Sequence, residues 1–149
     1  MAFNKDKVLQ AAQELIGKGK IPEAIREYQR ILTQDPRDQN ALNIIGDLYA
    51  RSKNTTEAIR YYTKLADVYV KDGFLVRGIA MFKKISKLDL TDTNAMERLG
   101  DLYTMQGLLS EARVQYLQLA EIHLKGNQAA QAMQIMQKVL DLDPENVKI

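Results

Sequence analysis

Side chains suited to catalysis or metal binding are few in this chain. His123 is the only histidine and cysteine is absent, so the sequence offers no Cys–His pair and no thiolate ligand. It contains no phosphate-binding glycine loop, no G-x-S-x-G nucleophile motif and no H-E-x-x-H zinc motif. The acidic segments LDLTD and LDLDP have the composition of turns rather than of metal loops. We therefore predict that the protein is not an enzyme and uses no cofactor or metal.

Acidic and basic side chains recur instead at a helical spacing. Three acids each precede a basic residue by four positions: Asp47 and Arg51, Asp67 and Lys71, Glu121 and Lys125. Such pairs stabilise a solvent-exposed helix by about 0.3–0.5 kcal/mol each. Two interpretations stay open, namely exposed pairs that face water or a polar track that binds a charged peptide.

The composition is that of a folded, soluble chain. Apolar residues make up 46% and charged residues 27% of the 149 residues, which excludes disorder. The net charge of +2 comes from scattered charges without a basic stripe, so we predict no nucleic-acid binding. No apolar run approaches the roughly 18–20 residues of a membrane span, and the first residues lack a signal-peptide core. We expect a cytoplasmic protein.

Apolar residues spaced three and four apart throughout the chain predict an all-α fold. We expect about eight antiparallel helices joined by short turns, including segments at 39–52, 93–106 and 128–141. Two helices are long, at about 55–71 and 109–125. Thr55 or Thr56 is a suitable N-cap for the first of these, and Gly73 can end it.

The sequence also repeats itself. Gly-Asp-Leu-Tyr at 46–49 recurs at 100–103, and Glu-Ala at 57–58 recurs at 111–112, each 54 residues later. Repetition of amphipathic helices predicts a stacked array, because one helix pair cannot bury its apolar face alone. The small residues, such as Gly46 and Gly100, are expected to let neighbouring helices approach, with Tyr49, Tyr69 and Tyr103 filling the adjoining space.

With these features the chain resembles the tetratricopeptide repeat (TPR) family, in the form of a bacterial-type scaffold with fused helices. The family repeat is a helical hairpin of about 34 residues. Residues 5–38 match it with Leu15, Gly19, Ala24, Tyr28 and Pro36. Residues 39–72 match it with Leu42, Ile45, Gly46, Tyr49, Ala58 and Tyr62, although the chain has no tryptophan. The resemblance implies a right-handed α-solenoid.

The interval of 54 residues is explained if the two long helices are shared between repeats. Ala58 and Gly78 each begin the apolar pattern expected for the second helix of a repeat, but they lie only 20 residues apart. The length missing from a repeat of about 34 residues is close to four helical turns, so one helix can act as the second of one repeat and the first of the next. The predicted repeats are 5–38, 39–72, 59–92, 93–126 and 113–146. The sequence is also compatible with a segment of a longer solenoid.

The resemblance also implies a binding surface, because TPR arrays bind peptides or partner helices in a concave groove lined by the first helix of each repeat. The residues expected to face this groove include a row of acidic side chains. Asp101 belongs to the row but has no basic residue four positions later. The predicted groove consists of Asn40, Asn43, Asp47, Arg51, Arg60, Thr63, Asp67, Lys71, Asn94, Glu97, Asp101 and Met105. The predicted partner is a protein or peptide.

Parts of the sequence also resemble three other kinds of protein. Arg60 and Lys64 resemble part of the lysine/asparagine clamp with which some TPR domains bind chaperone C-termini, but the other clamp positions do not match. A secretion-type chaperone would also use a short TPR array, with an apolar groove. A structural segment would self-associate through its last helix, whose Met133 and Met136 are not covered by an obvious polar cap. Packing is otherwise the expected role of most of the later methionines, namely Met81, Met96, Met133 and Met136. Met105 is the exception, because Arg51 occupies its position one repeat unit earlier.

Overall fold

The computed structural model describes residues 2–143, which form eight α-helices and no β-strand. The helices are α1 (Lys5–Gly17), α2 (Ile21–Gln34), α3 (Gln39–Arg51), α4 (Thr55–Lys71), α5 (Leu75–Leu88), α6 (Thr93–Met105), α7 (Leu109–Lys125) and α8 (Ala129–Leu142). The predictions of an all-α fold and of two long helices are confirmed. The chain divides into two compact units, Met1–Asp72 and Gly73–Ile149, which are described separately.

Unit 1 is built from α1 to α4, each packed against the next helix in the chain. Short turns make neighbouring helices antiparallel, so each pair can bury its apolar faces together. The largest side chains that this packing removes from water are Tyr28, Ile31, Leu42, Ile45, Leu48, Tyr62 and Leu65. Within this unit α4 packs against α3, and its proposed second role in the next repeat stays a prediction.

Unit 2 is built from α5 to α8 in the same manner. Here α7 packs against both α6 and α8, as expected of a helix that is shared between two repeats. Its residues Ala112, Tyr116, Leu119 and Ala120 are all buried, as the sequence pattern predicted. One helix of 17 residues therefore supplies a packing face to both of its neighbours.

A glycine and a tyrosine fit together in each unit. A Cβ atom on Gly46 would lie 2.4 Å from the Tyr62 ring, and one on Gly100 would lie 2.3 Å from the Tyr116 ring. Only a residue without a side chain leaves room for the ring. The prediction that small residues allow close approach is thus confirmed, but the tyrosines assigned to the space were wrong. The ring comes from the facing helix, one step later in the chain, because antiparallel packing places it opposite the glycine.

The turns that end the helices repeat at the same interval as the helices. Residues with positive φ follow five of the helices, at Gly19, Lys53, Gly73, Gly107 and Asn127. After α3 the amide of Asn54 donates to the carbonyl of Tyr49, and the equivalent bond after α6 joins Leu108 to Tyr103. These are Schellman-type ends, in which a left-handed residue lets the chain satisfy the last carbonyl groups. The suggested threonine cap of α4 is wrong, since Asn54 accepts from the amide of Glu57 instead.

Aspartates shape the turns before α3 and α6. Asp35 and Asp89 accept from amides two residues later, and Asp38 and Asp92 cap the next helices by accepting from Ala41 and Ala95. The LDLTD segment is therefore turn chemistry, as expected. The LDLDP segment ends at Pro144, which lies outside the described residues together with the end of the predicted repeat 113–146.

The methionines divide into two groups. Met81 and Met96 are buried in unit 2, as packing predicts. Met105, Met133 and Met136 are exposed. A packing role was wrongly expected only of Met133 and Met136, whose helix was also predicted to expose an apolar face, whereas Met105 was predicted to line the groove. Met133 and Met136 lie on the outer face of α8, where no described helix covers them.

Candidate functional site

A polar cleft of about 320 Å³ opens in unit 2 between α6 and α8. The end of α7 contributes His123 to its lining. We call it the α6–α8 cleft, and it is lined by Thr93, Asn94, Glu97, His123, Gln131, Gln134, Ile135 and Lys138. Three of these side chains are amides, which both donate and accept hydrogen bonds and so suit a peptide backbone. Ile135 is the one apolar side chain among them.

Lys138 ties the two helices that form the cleft. Its Nζ atom lies 2.9 Å from Glu97 Oε1 and 2.9 Å from Asp101 Oδ1, so an α8 side chain bridges two acids on α6. It also lies 5.5 Å from the centre of the Tyr116 ring. The two carboxylates raise the pKa of Lys138, although burial opposes them as the larger single influence. One lysine against two carboxylates leaves this cluster with an excess of negative charge.

Asp101 also accepts a hydrogen bond from Tyr116 on α7. The Tyr116 hydroxyl donates to Asp101 Oδ1 at 2.5 Å. Burial and this bond to a carboxylate raise the pKa of Tyr116 to about 12. The expectation that Asp101 lacks a partner is therefore wrong: its partners come from α7 and α8, which the four-residue spacing along α6 could not reveal. The unit 1 counterpart is the Tyr62 hydroxyl, which donates to Asp47.

His123 lines the cleft from the last turn of α7 and forms a hydrogen bond with Gln128. Its Nδ1 atom lies 2.8 Å from Gln128 Oε1. An amide oxygen can only accept, so Nδ1 is the donor in this bond. The prediction of a partly buried aromatic substitute agrees with the half-buried position of His123. Its place in the cleft lining was not predicted.

Four predicted site residues lie on one face of α6, because their spacing of three, four and four residues returns to the same side of a helix. Asn94 and Glu97 line the α6–α8 cleft. Asp101 joins them through Lys138. Met105 is exposed at the end of the helix, beyond the lining of the cleft.

In unit 1 the corresponding face of α3 carries the next four predicted residues. Asn40 and Arg51 are exposed at its two ends, and Asn43 and Asp47 between them are half-buried. Two cavities of unit 1, of about 610 and 340 Å³, are lined by other residues. The role of this face in binding stays a prediction.

Two of the four predicted residues of α4 have partners within their own helix. Arg60 pairs with Glu57 at 2.8 Å, and its guanidinium lies 4.8 Å from the centre of the Tyr61 ring. The Thr63 hydroxyl donates to the carbonyl of Ile59. Asp67 and Lys71 are exposed. Arg60 and Thr63 thus already have intrahelical partners that a ligand would have to replace.

The α8 side of the cleft was not predicted from the sequence. Gln131, Gln134 and Lys138 lie far along the chain from the α6 residues that they face. One signal was present, because Lys138 repeats Lys84 at the interval of 54 residues. Polar residues at a repeated interval on a helix otherwise rich in apolar side chains indicate a contact or a site.

Two absences hold for the part of the chain that the structure describes. Between residues 2 and 143 no group of three or more acidic or histidine side chains is placed to hold a metal ion. None of the eight described helices combines the length and the apolar character needed to cross a membrane.

Comparison with known proteins agrees with this repeat architecture. Two sequence models described as tetratricopeptide repeat match the chain, one at residues 9–67 and 63–122 and the other at residues 116–146. Successive matches overlap within α4 and within α7, the two helices predicted to be shared. No curated protein sequence matches the chain.

Solved structures show the same fold at low sequence identity. The type III secretion translocator chaperone SycD of Yersinia enterocolitica has a TM-score of 0.52 and 13% identity, covering 97% of this chain and 89% of its own. The TPR2B domain of yeast Sti1 in complex with pHsp70 has a TM-score of 0.52 and 16% identity, covering 95% and 97%. SycD in complex with a peptide of the translocator YopD has a TM-score of 0.52 and 13% identity, covering 95% and 93%. At such identities the likeness concerns the fold alone.

Proposed function

The chain belongs to the tetratricopeptide repeat family, and we propose that it is a protein-interaction scaffold that binds an extended peptide in the α6–α8 cleft. The observation that carries the proposal is the juxtaposition across this cleft of amides and a charged cluster from two different helices. Two of the similar structures, those of Sti1 and SycD, are complexes that support a peptide or protein ligand for this fold.

The chemistry of the cleft indicates what kind of peptide it takes. Asn94, Gln131 and Gln134 can bond to backbone amide and carbonyl groups whatever the peptide sequence. Glu97, Asp101 and Lys138 carry one more negative than positive charge. A lysine or arginine of the ligand would neutralise that excess, so the preferred peptide carries a basic side chain.

A polar cleft argues against a secretion-type chaperone, which would hold its client in an apolar groove. Ile135 is the sole apolar side chain in the cleft lining. The likeness to SycD concerns the fold alone and does not alter this argument.

The experiment is a selection of random peptides on the immobilised protein, followed by calorimetric titration of the enriched peptides. We expect basic residues to be enriched. We expect the double variant Asn94→Ala/Gln131→Ala to bind at least about tenfold more weakly, since two or three lost hydrogen bonds amount to more than 1 kcal/mol.

A matched control comes from α3, where Asn40 occupies the position that Asn94 occupies in α6. Asn40 is exposed, so Asn40→Ala tests a general effect of losing an asparagine at this helical position. If Asn94→Ala/Gln131→Ala binds the enriched peptides as tightly as the parent protein does, the proposed function is wrong.

A second function is favoured by the outer face of α8. Met133 is 72% exposed, and Met136 and Leu140 extend the same face at helical spacing. Such a row of apolar side chains would be covered by the same face of a second copy in a symmetric dimer. Light scattering over a concentration series tests this: Met133→Lys/Leu140→Lys should keep the protein monomeric, and a parent chain that is monomeric throughout contradicts the idea.

A further inference from the structure

A second cleft of about 260 Å³ lies in unit 2 on the other side of α6. Its α6 residues Met96, Leu99 and Tyr103 are each two positions after Asn94, Glu97 and Asp101. Two residues correspond to about 200° around a helix, so the two clefts face away from each other. We call it the α5–α7 cleft, and it is lined by Lys83, Ser86, Lys87, Leu90, Met96, Leu99, Tyr103, Gln115 and Gln118.

The charge of the α5–α7 cleft is opposite to that of the first cleft. Lys83 and Lys87 lie four residues apart on one face of α5, and no acidic residue lines the cleft. Within residues 2–143 neither lysine forms an ion pair. The Lys83 ammonium lies 5.9 Å from the centre of the Tyr103 ring, which leaves it available to an anion.

The equivalent surface of unit 1 shows what fills such a cleft. Tyr61 stands where unit 2 has Gln115, 54 residues later. Tyr61 is 5% exposed, and its ring stacks on Tyr49 with 5.8 Å between ring centres. Its hydroxyl accepts from Gln29, the counterpart of Lys83. An aromatic ring thus closes the surface in unit 1, whereas Gln115 leaves it open in unit 2.

Ser86 gives a further sign that the α5–α7 cleft is built for a polar group. Its hydroxyl is buried and has no hydrogen-bond partner among the described residues. Unit 1 has Leu32 at the equivalent position. Buried hydroxyl groups are nearly always hydrogen-bonded, so this one is unusual. Ser86 is also one of the residues that line the cleft.

We propose that the α5–α7 cleft binds an acidic peptide segment that contains an aromatic side chain. The aromatic ring occupies the space that Tyr61 fills in unit 1 and packs against Tyr103 and Met96. Carboxylates on either side of it pair with Lys83 and Lys87. The site lies on the opposite side of α6 from the first cleft and does not depend on the function proposed for that cleft.

The probe is an acetylated and amidated pentapeptide, Asp-Glu-Tyr-Glu-Asp, titrated into the isotope-labelled full chain by NMR. Two control peptides separate its features: Asn-Gln-Tyr-Gln-Asn lacks the charges, and Asp-Glu-Ala-Glu-Asp lacks the ring. We expect the probe to bind at least about tenfold more tightly than either control, and binding to weaken as salt is raised. Shifts are expected in the side-chain amides of Gln115 and Gln118.

The variants come from unit 1 itself, which keeps them compatible with the fold. Gln115→Tyr should close the cleft as Tyr61 does, and Lys83→Gln/Lys87→Thr installs the unit 1 residues of the same positions. Each change should weaken binding of the probe about three- to tenfold, because exposed ion pairs are individually weak. Far-UV circular dichroism verifies that each variant is folded, and the lysine variant tests the proposal should Gln115→Tyr fail to fold.

The results expected for binding to the α5–α7 cleft can be distinguished from those expected for binding to the α6–α8 cleft. Asn94→Ala/Gln131→Ala should leave binding of the acidic probe unchanged, and Gln115→Tyr should leave binding of the selected basic peptides unchanged. Equal affinity for the charged and uncharged tyrosine peptides would overturn the proposal, as would unaltered binding to the lysine variant.

Discussion

Adding one methyl group at Gly100 tests the packing of the repeat most simply. In Gly100→Ala the new Cβ atom would lie 2.3, 2.7 and 2.7 Å from three atoms of the Tyr116 ring. Carbon atoms prefer about 3.5–4.0 Å, so the ring or the helix must move by around 1 Å. The ring cannot slide freely, because its hydroxyl is bonded to Asp101 and its side chain is buried.

The expected magnitude combines two opposing effects. Overpacking a buried contact costs about 1–3 kcal/mol. Replacing glycine by alanine inside a helix contributes up to about 1 kcal/mol in the other direction. Gly17 serves as the matched control, since it is also helical but has no atom within 4 Å of its would-be Cβ. Gly17→Ala therefore reports the helix propensity without the clash.

Urea denaturation followed by far-UV circular dichroism measures both variants. We expect Gly17→Ala to be as stable as the parent or more stable. The free energy of unfolding of Gly100→Ala should be lower than that of Gly17→Ala by about 1–3 kcal/mol. Truncating the ring in Gly100→Ala/Tyr116→Leu should remove most of the clash. Equal free energies of unfolding for the two single variants would refute this account of the glycine.

Three further predictions concern stability. Asp38→Ala should cost about 1–2 kcal/mol in urea denaturation at neutral pH, and more than Asp92→Ala, because Lys5 pairs with Asp38 at 2.5 Å. Burial raises the pKa of Asp38, but the bonds from Lys5 and from the Ala41 amide have the larger combined effect and lower it. The stability that the ionised Asp38 carboxylate contributes is therefore lost in acid. The pKa of Tyr116 is raised to about 12, so its contribution to stability is present below about pH 10 and is lost as the pH rises toward 12. In Tyr116→Phe the free energy of unfolding should therefore depend less on pH in this alkaline range. Lys53→Gly should raise the thermal midpoint, since Lys53 has a φ of 60° and a left-handed non-glycine residue costs about 1 kcal/mol.

Local sequence patterns were sufficient for the helices and for most of the turns, although the N-cap of α4 is Asn54 and not a threonine. Helical spacing and aspartate or glycine punctuation are properties of neighbouring residues, so the long α4 and α7 could be placed to the residue. The Glu121–Lys125 pair, at 2.9 Å, is likewise a contact within one helix. These features depend on a few consecutive turns and not on the rest of the molecule.

The candidate site could be predicted only on its α6 side. Glu97 and Asp101 were identified from the periodicity of that helix, but their shared partner Lys138 comes from α8. Which tyrosine packs on Gly100 was mistaken for the same reason, since Tyr116 belongs to a facing helix. Periodicity tells which face of a helix is buried, whereas the partner across that face follows from how the helices are stacked.

The most direct test of the central claim is an NMR titration of the labelled protein with a basic peptide obtained from the random library. If the α6–α8 cleft is the binding site, the largest shifts will occur in residues 93–101 of α6 and 131–138 of α8, and Asn94→Ala/Gln131→Ala will abolish them at the same peptide concentration. Shifts confined to other helices, or shifts that persist undiminished in that variant, would contradict the assignment of this cleft as the peptide site.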